Sequence, residues 1–215
     1  MNLIEKVQFL FRMKIHFSKQ YKIILLGDSG VGKTSIVNRY IKGEYDEKSL
    51  ATIGVEIQQL FLTNGNERIK FNIWDTSGQE KYHSLAPQYY RNIDGVILVY
   101  DITRISSLQN LKDFWIHQLF KYAQNKYHMV IVGNKLDLKN ECDSNNLVTT
   151  EMGQKIARAY STIFVEASAK TGEHVQNAFD EFINRIISDN IEIPQEKNVD
   201  LRITEESDGG FASCC

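Results

Sequence analysis

The chain has 215 residues, with 25 Lys and Arg against 27 Asp and Glu for a net charge of −2, and it is 42% hydrophobic and 24% charged. That is enough chain of ordinary soluble composition to bury a core, without an apolar run long enough for a membrane-spanning helix or the basic balance that nucleic-acid binding wants. Its three cysteines, Cys142, Cys214 and Cys215, form neither a disulfide framework nor a metal-ligand spacing, so a reducing intracellular location is the default expectation.

Residues 1–19 precede the first strand-like run, and the opening "MNLIEKVQFLFRMKIHFSKQ" mixes apolar and basic residues. Its apolar core is too short for a secretory signal and lacks a small-residue cleavage site. Three readings stand: an exposed amphipathic extension, a transit peptide of incomplete signature, or upstream sequence absent from the native protein, with Met13 as its start. The expected domain covers residues 20–188.

The apolar run Ile23–Leu26 opens "KIILLGDSGVGKTS". Gly27, Gly32, Lys33 and Thr34 fit G-x-x-x-x-G-K-[ST], between a strand and the helix-compatible "TSIVNRYI". In that setting, glycines let backbone N–H groups turn inward around phosphate oxygens, and the helix start adds its partial positive charge. Lys33 is expected to reach the terminal phosphates and the Thr34 hydroxyl to ligate Mg²⁺. Ser29, Gly30, Val31, Gly32, Lys33, Thr34 and Ser35 make up the candidate phosphate site of a nucleoside polyphosphate.

Val55–Leu62 and Arg68–Trp74 flank "TNGN", and Asn-Gly tolerates the positive φ of a tight hairpin turn. "IWDTSGQE" follows the second of these strands. Asp75, at the strand end, is placed to bind Mg²⁺ through water. Gly78 offers a backbone N–H to a terminal phosphate, and Gln79 lies close enough to orient an attacking water.

Further apolar runs at Val96–Tyr100, Met129–Val132 and Ile163–Val165 read as strands. Between and after them, Leu108, Leu111, Trp115, Leu119 and Tyr122 share a helical face, as do Val175, Ala178, Phe179, Phe182, Ile183 and Ile186. The alternation predicts a mostly parallel α/β sheet covered on both sides, with the hairpin adding one antiparallel edge strand. "VGNKLDL" and "VEASAKTG" follow the last two parallel strands, on the edge where such sheets bind ligands. Asp137 can accept two hydrogen bonds from the guanine ring N–H and exocyclic amine, whereas adenine leaves that carboxylate unpaired. A site built this way rejects the wrong base by a factor on the order of 10⁴. Asn134, Lys135, Ser168, Ala169 and Lys170 complete the candidate base pocket. Trp115 and the histidines read as core or surface residues.

After Ser188 helical periodicity is lost, and 189–215 reads as a flexible acidic tail with two cations against seven carboxylates. It ends in Cys214 and Cys215 without a C-a-a-X box.

Taken together, these motifs resemble those of small GTPases of the Rab family, over roughly residues 20–188 and at the terminal "CC". "TIGVEI", "KFNIWDTSGQE", "YYRNI" and "LVYDIT" carry the likeness, and "KYHSLAPQYYR" is similar to the early-endosomal branch. The resemblance implies a P-loop fold of six strands and five helices that hydrolyses GTP with Mg²⁺. It also implies that Thr52 closes onto the metal when the γ-phosphate is present, and that Tyr45 lies against the guanine. Gln79, Lys33 and Thr52 are then the catalytic set, with Thr34, Thr52 and Asp75 at the metal.

By the same resemblance, Ile57, Trp74 and Tyr89 form an effector-reading patch, and Cys214 and Cys215 carry prenyl groups. A monomer would work with exchange factors, GTPase-activating proteins, effectors and a GDP-dissociation inhibitor or escort protein. It would reside on the cytoplasmic face of intracellular membranes, with a cytosolic GDP-bound pool. Three positions depart from the family pattern: Ser77 for the usual alanine, Ile57 for phenylalanine and Asn92 for glycine.

Overall fold

A computed structural model describes residues 17, 19–47, 52, 54–64, 67–76, 87–143 and 145–188. The strands are β1 (Lys19–Leu26), β2 (Val55–Asn64), β3 (Glu67–Thr76), β4 (Gly95–Asp101), β5 (His128–Asn134) and β6 (Ile163–Glu166). They form one sheet in the order β2-β3-β1-β4-β5-β6. Only β2 and β3 run antiparallel among these pairs, with Ile57 opposite Trp74, so the hairpin supplies the antiparallel edge strand.

Strand alternation divides the core into two layers. Ile23 and Leu25 of β1 face one layer with Ile69, Phe71, Ile97, Val99, Val130 and Val132; Ile24 and Leu26 face the other with Val96, Leu98, Met129 and Ile131. The first layer is closed by helix α1 (Lys33–Lys42) and helix α4 (Val175–Ser188), with Tyr40 of α1 stacked on Phe179 of α4 at 4.5 Å. All six apolar positions of the predicted α4 face are buried.

The second layer is closed by helix α3 (Thr150–Ala159) and helix α2 (105–122). Helix α2 runs without a break from Ile105–Asn110 through a π turn at Leu111–Trp115 into Ile116–Tyr122. Between β3 and β4 the described chain contains a 3₁₀ turn, Pro87–Tyr90. Asn92 just beyond it has φ 52°, the left-handed conformation that glycine or asparagine adopts most readily at a helix end. The replacement of glycine by asparagine there keeps the required geometry. No helix among the described residues is long and apolar enough to cross a membrane.

Because β1, β4 and β5 are parallel, the loops after them emerge on one edge of the sheet, together with the end of β3. Everything the sequence nominates for nucleotide chemistry in the described chain sits on or near that edge.

Candidate functional site: a nucleotide cleft on the carboxyl edge of the sheet

The turn from β1 into α1 is shaped by close approaches that exclude side chains. A Cβ on Gly27 would lie 2.1 Å from the Val99 carbonyl oxygen, and one on Gly32 2.3 Å from Asn134 Nδ2. Both also have positive φ, 143° and 93°, which glycine alone tolerates without cost. Gly32 precedes α1 without a side-chain cap, and no carboxylate stands in the first turn. The N–H groups of that turn, with their partial positive charge, are left to a ligand. Lys33 Nζ spans the loop, donating to the carbonyls of Gly27 at 2.7 Å and Asp28 at 3.0 Å.

Beside this cradle lies a cleft of about 410 Å³, of the size small-molecule sites have. Ser29, Gly30, Gly32, Lys33, Thr34 and Ser35 line one end; Asn134, Lys135, Asp137, Ala169 and Lys170 line the other, and Tyr45 and Thr52 also border it. Val31 is different: its side chain is fully buried in the core, and its carbonyl accepts from Asn134 Nδ2 at 2.8 Å. Ser168 is likewise fully buried behind the cleft, donating to Asp137 Oδ1 at 2.5 Å. That bond fixes the Asp137 carboxylate while it borders the cavity. Asn134 is spent on the scaffold at both ends of its amide, since its Oδ1 accepts from Ala169 N at 3.1 Å. It bridges the phosphate loop to the loop after β6, a role that its place in "NKLD" did not reveal.

Two further ties were not legible. Arg39 of α1 donates to the carbonyls of Ala169 at 2.8 Å and Lys170 at 2.7 Å, holding the last loop against α1. Lys135, at φ 71°, pairs with Asp101 Oδ2 at 2.6 Å. A basic residue in the last turn of α1 was the available signal for the first, but spacing alone does not tell which carbonyls it meets.

At the phosphate end three oxygen side chains from three elements meet. Thr34 Oγ1 lies 2.8 Å from Thr52 Oγ1 and donates to Asp75 Oδ2 at 2.5 Å. Asp75 is fully buried, and its other oxygen, Oδ1, has no hydrogen-bond partner among the described residues. Burial pushes its carboxyl above the usual range, opposed by the Thr34 hydroxyl and the Lys33 charge, while Glu56 adds to the upward shift. Two hydroxyls and an unsatisfied buried carboxylate oxygen are hard donors, the kind that suit a Mg²⁺ ion completing its shell with phosphate and water. The residues present fit the group.

Ile57, Trp74 and Tyr89 lie together on the outer surface near β2 and β3. Trp74 and Tyr89 meet edge-on at 5.8 Å, Lys22 Nζ stands 4.6 Å over the Trp74 ring, and Ile57 is 46% exposed. Gly78, Gln79 and Ser77, and the terminal Cys214 and Cys215, lie outside the described residues.

A six-stranded α/β sheet with a glycine cradle at its first crossover defines a P-loop nucleotide-binding protein. A model of the Ras family matches residues 22–188. Ras-related protein Rab-18 of Caenorhabditis briggsae is 43% identical over 167 residues, covering 77% of this chain and 80% of the relative. Ras-related protein RABC1 of Arabidopsis thaliana is 38% identical over 172 residues, 80% of this chain and 79% of the relative. Ras-related protein Rab5 of Nicotiana tabacum is 40% identical over 171 residues, 80% of this chain and 83% of the relative.

The chain belongs to the Ras family and, within it, to the Rab small GTPases. It is a GTP hydrolase that acts as a nucleotide-dependent switch in vesicle trafficking, with the regulators and effectors such switches use.

Proposed function

We propose that the cleft binds GTP and GDP with Mg²⁺, and that residues 52 and 78 report which nucleotide is present. The observation that carries this reading is the meeting of Thr34, Thr52 and Asp75. It joins the phosphate loop, the segment before β2 and the end of β3 at one point beside the cradle. Mg²⁺, when bound there, supplies positive charge against the developing charge of the transferred phosphoryl group.

Lys33 and the first-turn amides hold the terminal phosphates, with Ser29 to Ser35 forming the rest of the cradle. Gln79 orients the attacking water, and the Gly78 N–H receives the γ-phosphate. Asp137 reads the guanine N–H groups; Tyr45, Lys135, Ala169 and Lys170 border the base, and Ser168 and Asn134 hold its loops in place. Hydrolysis breaks the bond to the γ-phosphate and removes what holds Thr52 and Gly78 closed. Unaided turnover in comparable GTPases is slow, about 10⁻⁴ to 10⁻³ per second, so accelerating proteins set the lifetime of the active form.

Exchange factors load GTP, effectors read Ile57, Trp74 and Tyr89, and a GDP-dissociation inhibitor or escort extracts the GDP form. Two prenyl chains on Cys214 and Cys215 give stable attachment where one gives only marginal binding. The likeness of "KYHSLAPQYYR" to the early-endosomal branch supports an endosomal membrane as the site of action.

Competition against labelled GDP tests the base reading: unlabelled GTP displaces it and ATP does not at thousandfold excess, whereas equal displacement by ATP contradicts the role of Asp137. A second reading, a nucleotide-locked effector-binding module, is favoured by Ser77, which departs from the alanine usual at that position in the family. Single-turnover hydrolysis with a GTPase-activating protein separates the two, acceleration supporting the switch and negligible turnover the module.

A further inference from the structure

The phosphate loop carries a carboxylate, which runs against its task of holding anions. Asp28 directly follows Gly27 and lies five residues before Lys33. A negative charge there repels a polyphosphate unless it is turned away and neutralised. The structure turns it away. Asp28 is only 4% exposed, and each of its oxygens accepts from one neutral side chain of α2: Oδ1 from Trp115 Nε1 and Oδ2 from Asn110 Nδ2, both at 2.8 Å. Arg104, just ahead of α2, donates from a terminal guanidinium nitrogen to the Ser29 carbonyl at 2.9 Å. Two consecutive residues of the cradle are thus tied to one helix.

The geometry of α2 is suited to this. Asn110 and Trp115 are five positions apart, roughly 140° around an ordinary α-helix, too far to converge on one carboxylate. The π turn at Leu111–Trp115 has the wider i→i+5 repeat that brings such positions to one side. Leu108 and Leu119 remain buried in the core on either side of it. π turns are local irregularities that recur at functional sites, and here one places two donors under the phosphate loop.

We propose that Asn110 and Trp115 are positioning residues that hold the phosphate loop in its nucleotide-ready shape through Asp28, and so set how long the nucleotide stays bound. The proposal rests on the guanine-nucleotide reading of the cleft. Removing a donor leaves a buried carboxylate oxygen unpaired. Its relief is to turn toward water, which draws the backbone of Gly27 to Ser29 out of the cradle.

The test is the dissociation rate of fluorescent GDP from the full chain in Mg²⁺, chased with unlabelled GDP. Trp115→Phe, which keeps a ring but loses the N–H, is expected to speed dissociation about tenfold. Asp28→Leu does the same, and adding Trp115→Phe to it changes the rate less than twofold, because the acceptor is already gone. Asp28→Asn keeps an acceptor for Trp115 and, with the Asn110 amide turned over, a partner for its own NH₂, so its rate stays near that of the parent.

An unchanged rate in Trp115→Phe overturns the clamp, as does an equal effect of that change with and without Asp28, the result ordinary packing gives. Should Asp28→Leu fail to fold, Asn110→Ala combined with Trp115→Phe decides the same question: a combined effect smaller than the product of the two supports the clamp, and full multiplicativity opposes it. Failure of the parent chain to hold labelled GDP refutes the functional reading instead, while tight binding with insensitive variants refutes the clamp alone.

Discussion

Gly32 concentrates two constraints on one atom that it lacks. A methyl group there meets Asn134 Nδ2 at 2.3 Å and has to adopt φ 93°. Gly32→Ala is therefore expected to weaken GDP binding about a hundredfold, corresponding to roughly 3 kcal/mol of strain and displaced contacts, as read by equilibrium titration. Asp94 makes a different prediction. Its Oδ2 accepts from Lys22 N at 2.7 Å, and burial raises its carboxyl above the usual range against the opposing Lys22 amide and charge. With the folded value above the unfolded one, the fold holds that proton more tightly than the unfolded chain does. The contribution is complete below the unfolded value and is lost as pH rises through the folded one. Asp94→Asn, which imitates the protonated form, should exceed the parent in stability at pH 7 by urea unfolding, with the advantage fading as pH falls through the raised folded value and gone below about pH 4. An advantage that grows toward acid contradicts the assignment.

The placement of residues was legible where a spacing forces it. The lysine and threonine of the phosphate loop, Asp75 at a strand end and Asp137 after β5 all stand where their motifs placed them. Asp28 and Trp115 were not legible. A lone acid in a loop and a tryptophan on an apolar helix face carry no signal of each other across 87 residues, and only the fold joins them.

At the scale of elements, apolar spacing revealed α4 and α2 because burial repeats along a helix face. It did not reveal the π turn inside α2, since Leu108, Leu111, Trp115 and Leu119 fit an ordinary helix as well. The left-handed residue after the 3₁₀ turn is a comparable case. Asn92 at φ 52° accounts for the asparagine in "YYRNI", a conformation that a β-branched residue adopts only at a cost. Asn92→Val should destabilise the chain by about 1–2 kcal/mol while Asn92→Gly is close to neutral, measured by denaturant unfolding at a fixed concentration of GDP. Equal stability of the two variants contradicts the conformational reading. The hairpin was legible for the same kind of reason, because Asn-Gly permits the turn and apolar alternation flanks it.

For the whole molecule, strand and helix alternation implied a parallel sheet, but the order β2-β3-β1-β4-β5-β6 is a matter of packing that no local pattern encodes. That order places β1 beside β3, so Thr34 at the start of α1 reaches Asp75 at the end of β3. It also brings β4 and β5 alongside, so Asn134 can brace both the phosphate loop and the loop after β6. In the proposed reading, the sheet edge holds the phosphate and base sites while the segments around Thr52 and Gly78 respond to the ligand. The most direct test of this division is amide hydrogen exchange of the full chain in Mg²⁺, loaded with GDP or with a non-hydrolysable GTP analogue. The account predicts that the analogue slows exchange around Thr52 and Gly78 while β1 and β4 exchange alike in both forms; equal exchange around Thr52 and Gly78 with either nucleotide contradicts it.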